Sequence, residues 1–163
     1  MKRIGILSDT HSCWDDRFLL HFSDCDEIWH AGDIGCTLII DRLAEHCLVR
    51  AVYGNIDGRE LRLRFDEVLR FRVEECDVMM THIGGYPGRY SPAIRRELYA
   101  EKPDIFVAGH SHILKVMHDK TIDCLHINPG AAGRQGWHAV RTLVKLTVEG
   151  KEIKDIEIIE LSR

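Results

Sequence analysis

The sequence contains no run that approaches the ~18 consecutive apolar residues of a membrane-spanning helix. Met1 to Leu7 is too short for the apolar core of a signal peptide, and Ser8 and Asp9 end it. There is no low-complexity tract, no internal repeat and no linker-like stretch, so residues 1–163 read as one domain. Six cysteines are present but none forms a CxxC pair, which argues against a cysteine-based zinc site. Their irregular spacing fits buried thiols in a reducing compartment, and the expected location is the cytoplasm. Nor is there an excess of positive charge. Lys and Arg number 22 against 26 Asp and Glu, a formal net charge of −4. Duplex nucleic acid, which selects basic surfaces, is therefore not an expected partner, and neither is a membrane. Hydrophobic residues make up 45%, ordinary for a globular protein.

The first third alternates short apolar segments with amphipathic ones. Ile4 to Leu7, Glu27 to His30 and Leu48 to Tyr53 read as strands. Trp14 to Phe22 and Leu38 to His46 read as helices, the second with Thr37 as candidate cap. Such repetition predicts parallel strands with crossover helices. Val68 to Val73 and Val78 to Thr81 predict a hairpin around Glu74-Glu75-Cys76-Asp77. A helix is expected from Pro92 towards Glu101, capped by Ser91. Strands follow at Ile105 to Ala108, Ile113 to Met117 and Ile122 to Ile127, and a terminal hairpin spans Thr142 to Val148 and Ile153 to Ile159. The mixture predicts an α/β (α+β) protein of two packed sheets with helices outside.

Five strand ends run into loops bearing metal-ligand residues: Asp9-Thr10-His11, Gly32-Asp33, Gly54-Asn55, Thr81-His82 and Gly109-His110-Ser111-His112. The C-terminal ends of strands are where open sheets of this kind place their sites. Carboxylate with imidazole suits divalent transition metals. An isolated Asp-x-His or His-x-His carries little weight; five such loops in one chain carry much more. Glycine directly before Asp33, Asn55 and His110 permits tight turns beside a crowded site.

Taken in order, these motifs resemble the signature of the calcineurin-like metallophosphoesterases, from about Ile4 to about Gly130. The small size and Asn128-Pro129-Gly130 resemble the compact phosphodiesterase branch. The resemblance implies a four-layered αββα sandwich of two mixed β-sheets flanked by helices. It implies two divalent metal ions, of Mn, Zn, Fe or Ni. Asp9, His11, Asp33 and His112 would hold one; Asp33, Asn55, His82 and His110 the other, with Asp33 bridging. Asp33, Asn55 and His82 would also serve catalysis: a metal-bridging hydroxide, formed near neutral pH, attacks a small phosphodiester. Two dications against two carboxylates leave the site at about +2, which attracts a phosphate despite the acidic chain.

The pattern departs from the family in two places. Many relatives carry histidine after Gly-Asn, where this chain has Ile56; the compact branch usually has cysteine there. Many read His-Gly-His at the fourth motif, where this chain reads His82-Ile83-Gly84. The leaving group's proton source is therefore open, and good leaving groups are expected. Asp57 reads as anchoring its turn or orienting Asn55, and His30 as packed behind the site. Gly84 to Tyr90 reads as a flexible loop that either contacts substrate or is plain surface. Arg89 and Arg134 are candidates for phosphate contacts. The five arginines between Arg59 and Arg72 read as a solvated face, and His21, His46, His118, His126 and His138 have no motif context. A phosphomonoesterase, or a non-catalytic scaffold like the retromer subunit of this fold, are the competing readings. The complete ligand set favours catalysis. A homo-oligomer is compatible with the sequence.

Overall fold

A computed structural model describes residues Met1–Arg163. Two five-stranded sheets form the centre. In the first, β1 (Lys2–Leu7), β2 (Glu27–His30) and β3 (Leu48–Ala51) run parallel. β11 (Arg141–Glu149) pairs antiparallel with β1, and β12 (Glu152–Leu161) antiparallel with β11. The second orders β4 (Val68–Val73), β5 (Cys76–Thr81), β8 (Ile105–Val107), β10 (Cys124–Asn128) and β9 (Lys115–Asp119). Its inner trio β5, β8 and β10 is parallel, and both edges are antiparallel.

Three apolar layers hold the sheets and helices together. Between the sheets lie Ile4, Ile6, Trp29, Val78, Met80, Ile105, Val107, Ile127, Val144 and Leu146, all buried. Against the outer face of the first sheet, Phe18 of α1 (Arg17–His21), Ile40 and Leu43 of α2 (Thr37–Ala44) and Leu61 of α3 (Arg59–Arg64) pack on Leu7, Ile28 and Leu143. On the far side, Ile94 and Leu98 of α4 (Pro92–Ala100) pack on Met79 and Phe106. The result is the expected four-layered αββα sandwich of two mixed sheets. Fully burying each large apolar side chain contributes about 1.5–3 kcal/mol, and the inter-sheet layer and the layer under α1 to α3 bury 15 residues each, against 8 under α4.

Some element boundaries differ from expectation. The helix expected from Trp14 forms only at Arg17, because the preceding residues are engaged locally. Trp14 Nε1 donates to Asp16 Oδ1 at 2.8 Å, and the Arg17 backbone N–H donates to Asp15 Oδ1 at 3.0 Å. Thr37 is not a cap but the first residue of α2; the extended residue before it is Cys36. The β4–β5 turn is only Glu74-Glu75, with Val73 opposite Cys76 and Glu74 left-handed at φ 53°. The stretch expected to be a flexible loop is a small hairpin, β6 (Gly85–Tyr86) with β7 (Arg89–Tyr90). Tyr86 Oη donates to Ile113 O at 3.1 Å, and Tyr90 Oη to Asp119 Oδ2 at 2.6 Å, fastening it to the second sheet.

His126 on β10 is fully buried against Tyr86, Tyr90 and Phe106, and neither ring nitrogen has a hydrogen-bond partner in the protein. Burial, aided by Lys115, pushes its pKa down to about 4. An unfolded imidazole titrates near 6.5, so the unfolded chain binds more protons between these values. Stability is thus full above pH 6.5 and falls as pH drops towards 4, by about 2 kcal/mol at pH 5 from this residue. In urea titrations, the stability lost between pH 7.5 and pH 5 should shrink by about that amount in His126→Phe. An unchanged loss would show that this imidazole is not held neutral.

Candidate metal centre

Seven side chains converge where strands of both sheets end. Asp9 and His11 follow β1, Asp33 follows β2 and Asn55 follows β3; His82 follows β5, and His110 and His112 follow β8. The backbone makes this convergence possible by leaving its usual conformations. Asp9 (φ 55°), His11 (45°), Asp33 (55°), His110 (72°) and His112 (63°) are all left-handed. Such residues cost of order 1–3 kcal/mol each, and cluster where surrounding structure holds them for function. Two glycines are required by close approach. A Cβ on Gly54 would lie 2.1 Å from Asp33 Oδ1, and one on Gly109 2.2 Å from Ser8 Oγ.

The ligand atoms fall into two groups, each within 4.8 Å: Asp9, His11 and His112, and Asp33, His82 and His110. His112 Nε2 lies 3.1 Å from Asp9 Oδ1, and His82 Nε2 lies 3.1 Å from Asp33 Oδ2. The groups meet at Asp33 Oδ2, which is also 3.6 Å from His11 Nε2. Asn55 joins the second group through its Oδ1, 3.1 Å from His110 Nδ1. Asp9, Asp33 and His82 are buried, whereas Asn55 and His110 are exposed. Each group thus has a buried base, and the second meets solvent through His110 and Asn55 while His11 and His112 of the first are half-buried.

Asp9 Oδ1, His11 Nε2 and His82 Nε2 are buried and make no hydrogen bond. Unpaired buried polar atoms are costly, and these three converge on one place. A divalent cation would satisfy all of them, so the donor set fits a metal. The His82 tautomer agrees: Nδ1–H donates to Ala31 O at 2.8 Å, leaving the Nε2 lone pair towards the carboxylates. Burial works against ionising Asp9, but His11, His112 and His82 and the Ser8 hydroxyl outweigh it and hold its pKa well below the carboxylate range. Burial likewise opposes protonation of His82, and the Asp33 and Asp9 carboxylates overcome it, raising the pKa.

Behind the ligands, two polar supports fix the loops. Gly32 N–H donates to His30 Nδ1 at 3.1 Å, so Nε2 carries the proton and donates to Thr10 Oγ1 at 3.0 Å. Thr10 in turn donates to Ile34 O at 2.8 Å, joining the loops of Asp9 and Asp33. Burial pushes the His30 pKa down to about 4, keeping this relay neutral. Asp57 does more than the sequence indicates. Its carboxylate accepts from Ile34 N (3.1 Å), Gly35 N (2.8 Å) and Gly54 N (2.7 Å), clamping the Asp33 loop to the Asn55 loop.

Arg89 lies on β7 and lines a recess of about 180 Å³ together with His110 and Ser111. Arg134 points elsewhere, donating to Arg163 O at 3.2 Å and to Cys13 Sγ at 2.7 Å. Two neighbours of the site escaped the sequence reading. Arg62, in the stretch read as a solvated face, donates to Asp57 O (2.6 Å) and Asn55 O (3.2 Å). The His138 ring packs edge-on to His112, centroids 5.2 Å apart. Only the fold brings either residue there; nothing in the local pattern marks them.

Asp57→Ala should strand three amides and free both loops. We expect a loss of about 3 kcal/mol or more in urea unfolding and a 10–100-fold loss in metal affinity by isothermal titration calorimetry. Wild-type metal affinity in that variant would show that the clamp does not position the ligands.

A family model, the calcineurin-like phosphoesterase superfamily domain, matches residues 1–151. A probable metallophosphoesterase of Methanocaldococcus jannaschii is 33% identical over 96% of this chain and 82% of its own length. Among solved structures, wild-type Vps29 of Entamoeba histolytica complexed with zinc superposes with a TM-score of 0.75 at 15% identity, covering 98% of each chain. Yfce, a phosphoesterase of E. coli, superposes with a TM-score of 0.60 at 19% identity, over 95% of this chain and 98% of that one. No helix is long and apolar enough to cross a membrane. With the family model spanning nearly the whole chain and a relative one-third identical along it, this protein belongs to the calcineurin-like phosphoesterase superfamily.

Proposed function

We propose that the chain is a metal-dependent phosphodiesterase for small diesters. Its dinuclear site is formed by Asp9, His11, Asp33, Asn55, His82, His110 and His112, with Asp33 shared. The supporting observation is the meeting of the two ligand groups at Asp33 Oδ2, surrounded by buried atoms that lack partners. Two divalent ions there would draw in the phosphate, acidify a water and steady an in-line displacement. The chain's own part is to orient: His82 is fixed by Ala31 O, and Asp33 Oδ1 accepts from Ile56 N at 3.1 Å, turning Oδ2 inward. Six cysteines, none disulfide-bonded, suit a cytoplasmic location.

One feature favours a diester over a monoester: room for two ester arms. A cavity of about 530 Å³ adjoins Asn55 and His82, and the recess of about 180 Å³ adjoins His110; Ile83 and Ser91 border both. The chain also lacks a proton donor where many relatives place one, which favours good leaving groups in either ester class. Ile56 is exposed beside Asn55 and carries no acid. Gly84 cannot take a side chain without collision, since a Cβ would lie 2.7 Å from Phe106 and 2.8 Å from Ala108. The likeness to Vps29 favours a second reading, a protein-binding scaffold of the same fold.

Chelator-stripped protein given manganese, nickel, zinc or iron should hydrolyse bis-p-nitrophenyl phosphate faster than p-nitrophenyl phosphate. Saturating metal, at about 100 times its Kd, should add about 2.7 kcal/mol of stability in thermal melts. Asp33→Asn should lower diester turnover by more than about 100-fold, beyond the loss typical of a group that only orients a ligand. Metal-induced stabilisation without turnover of either ester would favour the scaffold. Ile56→His should raise turnover of alkyl diesters relative to nitrophenyl ones; an unchanged ratio would show that proton supply does not limit the reaction.

A further inference from the structure

The loops of Asp9, Asp33, His82 and His110 are each tied to a neighbouring ligand loop by backbone hydrogen bonds. Asp9 N donates to Gly32 O at 2.9 Å, His11 N to Asp33 O at 3.0 Å, and Gly109 N to His82 O at 2.9 Å. The loop Gly54 to Asp57 has no such tie. Its own backbone bond, Asp57 N to Gly54 O at 3.1 Å, closes on itself.

Side chains hold this loop instead. Its amides are met from the inner side: Asp33 Oδ1 accepts from Ile56 N, and the Asp57 carboxylate accepts from Gly54 N. Its carbonyls are met from the outer side by one residue. Arg62 Nε donates to Asp57 O at 2.6 Å and Nη2 to Asn55 O at 3.2 Å, with Gly54 O at the edge of reach, 3.5 Å. The guanidinium also lies over the Tyr53 ring, 4.6 Å from its centroid, so it leans on the residue that enters the loop. We propose that Arg62 is a positioning residue for the second metal ion, acting through Asn55. This inference rests on the dinuclear reading above.

Asn55 depends on such support more than the other ligands do. It is exposed, and it faces the equally exposed His110, whose Nδ1 lies 3.1 Å from its Oδ1. Affinity for a cation follows the charge of the ligands and the rigidity of the site. Asn55 brings no charge, so rigidity carries its share. A loose loop would lose conformational entropy when the ion binds, whereas a braced loop has lost it on folding. Arginine suits the task because its planar fork of fixed donors meets two carbonyls at once, where lysine offers one mobile head group. The first group draws its support elsewhere: Asp9 Oδ2 accepts from Ser8 Oγ at 2.6 Å and from His110 N at 3.1 Å.

The test follows manganese binding to the chelator-stripped protein by calorimetry and by electron paramagnetic resonance. Wild-type protein should bind two ions whose spins couple, and Asn55→Ala should identify the ion that depends on the loop. Arg62→Met keeps a stem beside Tyr53 but removes the donors. It should weaken that same ion about 10–100-fold and leave the other within about twofold. At manganese levels that fill the wild type, its spectrum should be that of a lone ion. Arg62→Lys should fall between the two. Equal weakening of both ions by Arg62→Met would make Arg62 a merely structural residue and overturn the proposal. Unchanged binding, the behaviour of a guanidinium that serves only substrate, would overturn it too, as would an Asn55→Ala variant that weakens neither ion. If Arg62→Met does not fold, Arg62→Lys decides by the same criteria. Wild-type protein that takes up no more than one ion would overturn the dinuclear reading, and this proposal with it.

Discussion

The structure turns on keeping two carboxylates and four imidazoles face to face with their lone pairs inward. Left alone, such a cluster repels itself and resists burial. The fold answers with backbone rather than with side-chain packing. Five of the seven converging residues adopt left-handed φ angles, and the glycines before Asn55 and His110 let neighbouring loops approach closer than any Cβ would permit. Those conformations are held by hydrogen bonds that cross from loop to loop: Asp9 N to Gly32 O at 2.9 Å, His11 N to Asp33 O at 3.0 Å and Gly133 N to Asp9 O at 3.0 Å. Each loop is thus a template for the next, and the strain of one is distributed over its neighbours.

The site also depends on the seam between the sheets. The first sheet supplies Asp9, His11, Asp33 and Asn55; the second supplies His82, His110 and His112. Each ligand group draws on both sheets, so the distances within it are set by how Ile4, Ile6 and Trp29 pack against Val78, Met80 and Val107. Interiors packed at crystal-like density transmit small shifts. A core substitution far from the ligands can thus move one sheet's ligands relative to the other's.

How much of this the sequence discloses follows from what is local. Strands show as apolar runs, and their polar ends show as ligand motifs, so the sandwich and the seven residues are legible. Helix limits are less so, because Asp15 and Asp16 hold the chain just before α1 through side-chain bonds that periodicity does not reveal. The small hairpin at Tyr86 reads as a loop because what orders it, Ser111, Ile113 and Asp119, is 25 or more residues away. Arg62 looks like one arginine among several until α3 turns it under the Asn55 loop. Asp57 is intermediate: its nearness to Asn55 suggests an anchor, but its bonds to Ile34 and Gly35 are tertiary.

Electrostatics connects the centre to its surroundings. In a chain of net charge −4, two buried carboxylates need positive partners close by. Without a cation, the neighbouring imidazoles take that part. His11 is raised by its contact with Asp9, and His82 is raised by Asp33 and Asp9 although burial opposes it. The carboxylates that would share a cation also favour a proton on these rings, so protons and metal compete for the same nitrogens. His30, buried like His82 but bonded to Gly32 and Thr10, goes the other way and stays neutral. The contrast separates histidines that face the carboxylates from one that only braces their loops. It does so by the direction of each pKa, a property that depends on where the ring nitrogens point and not on position in the sequence.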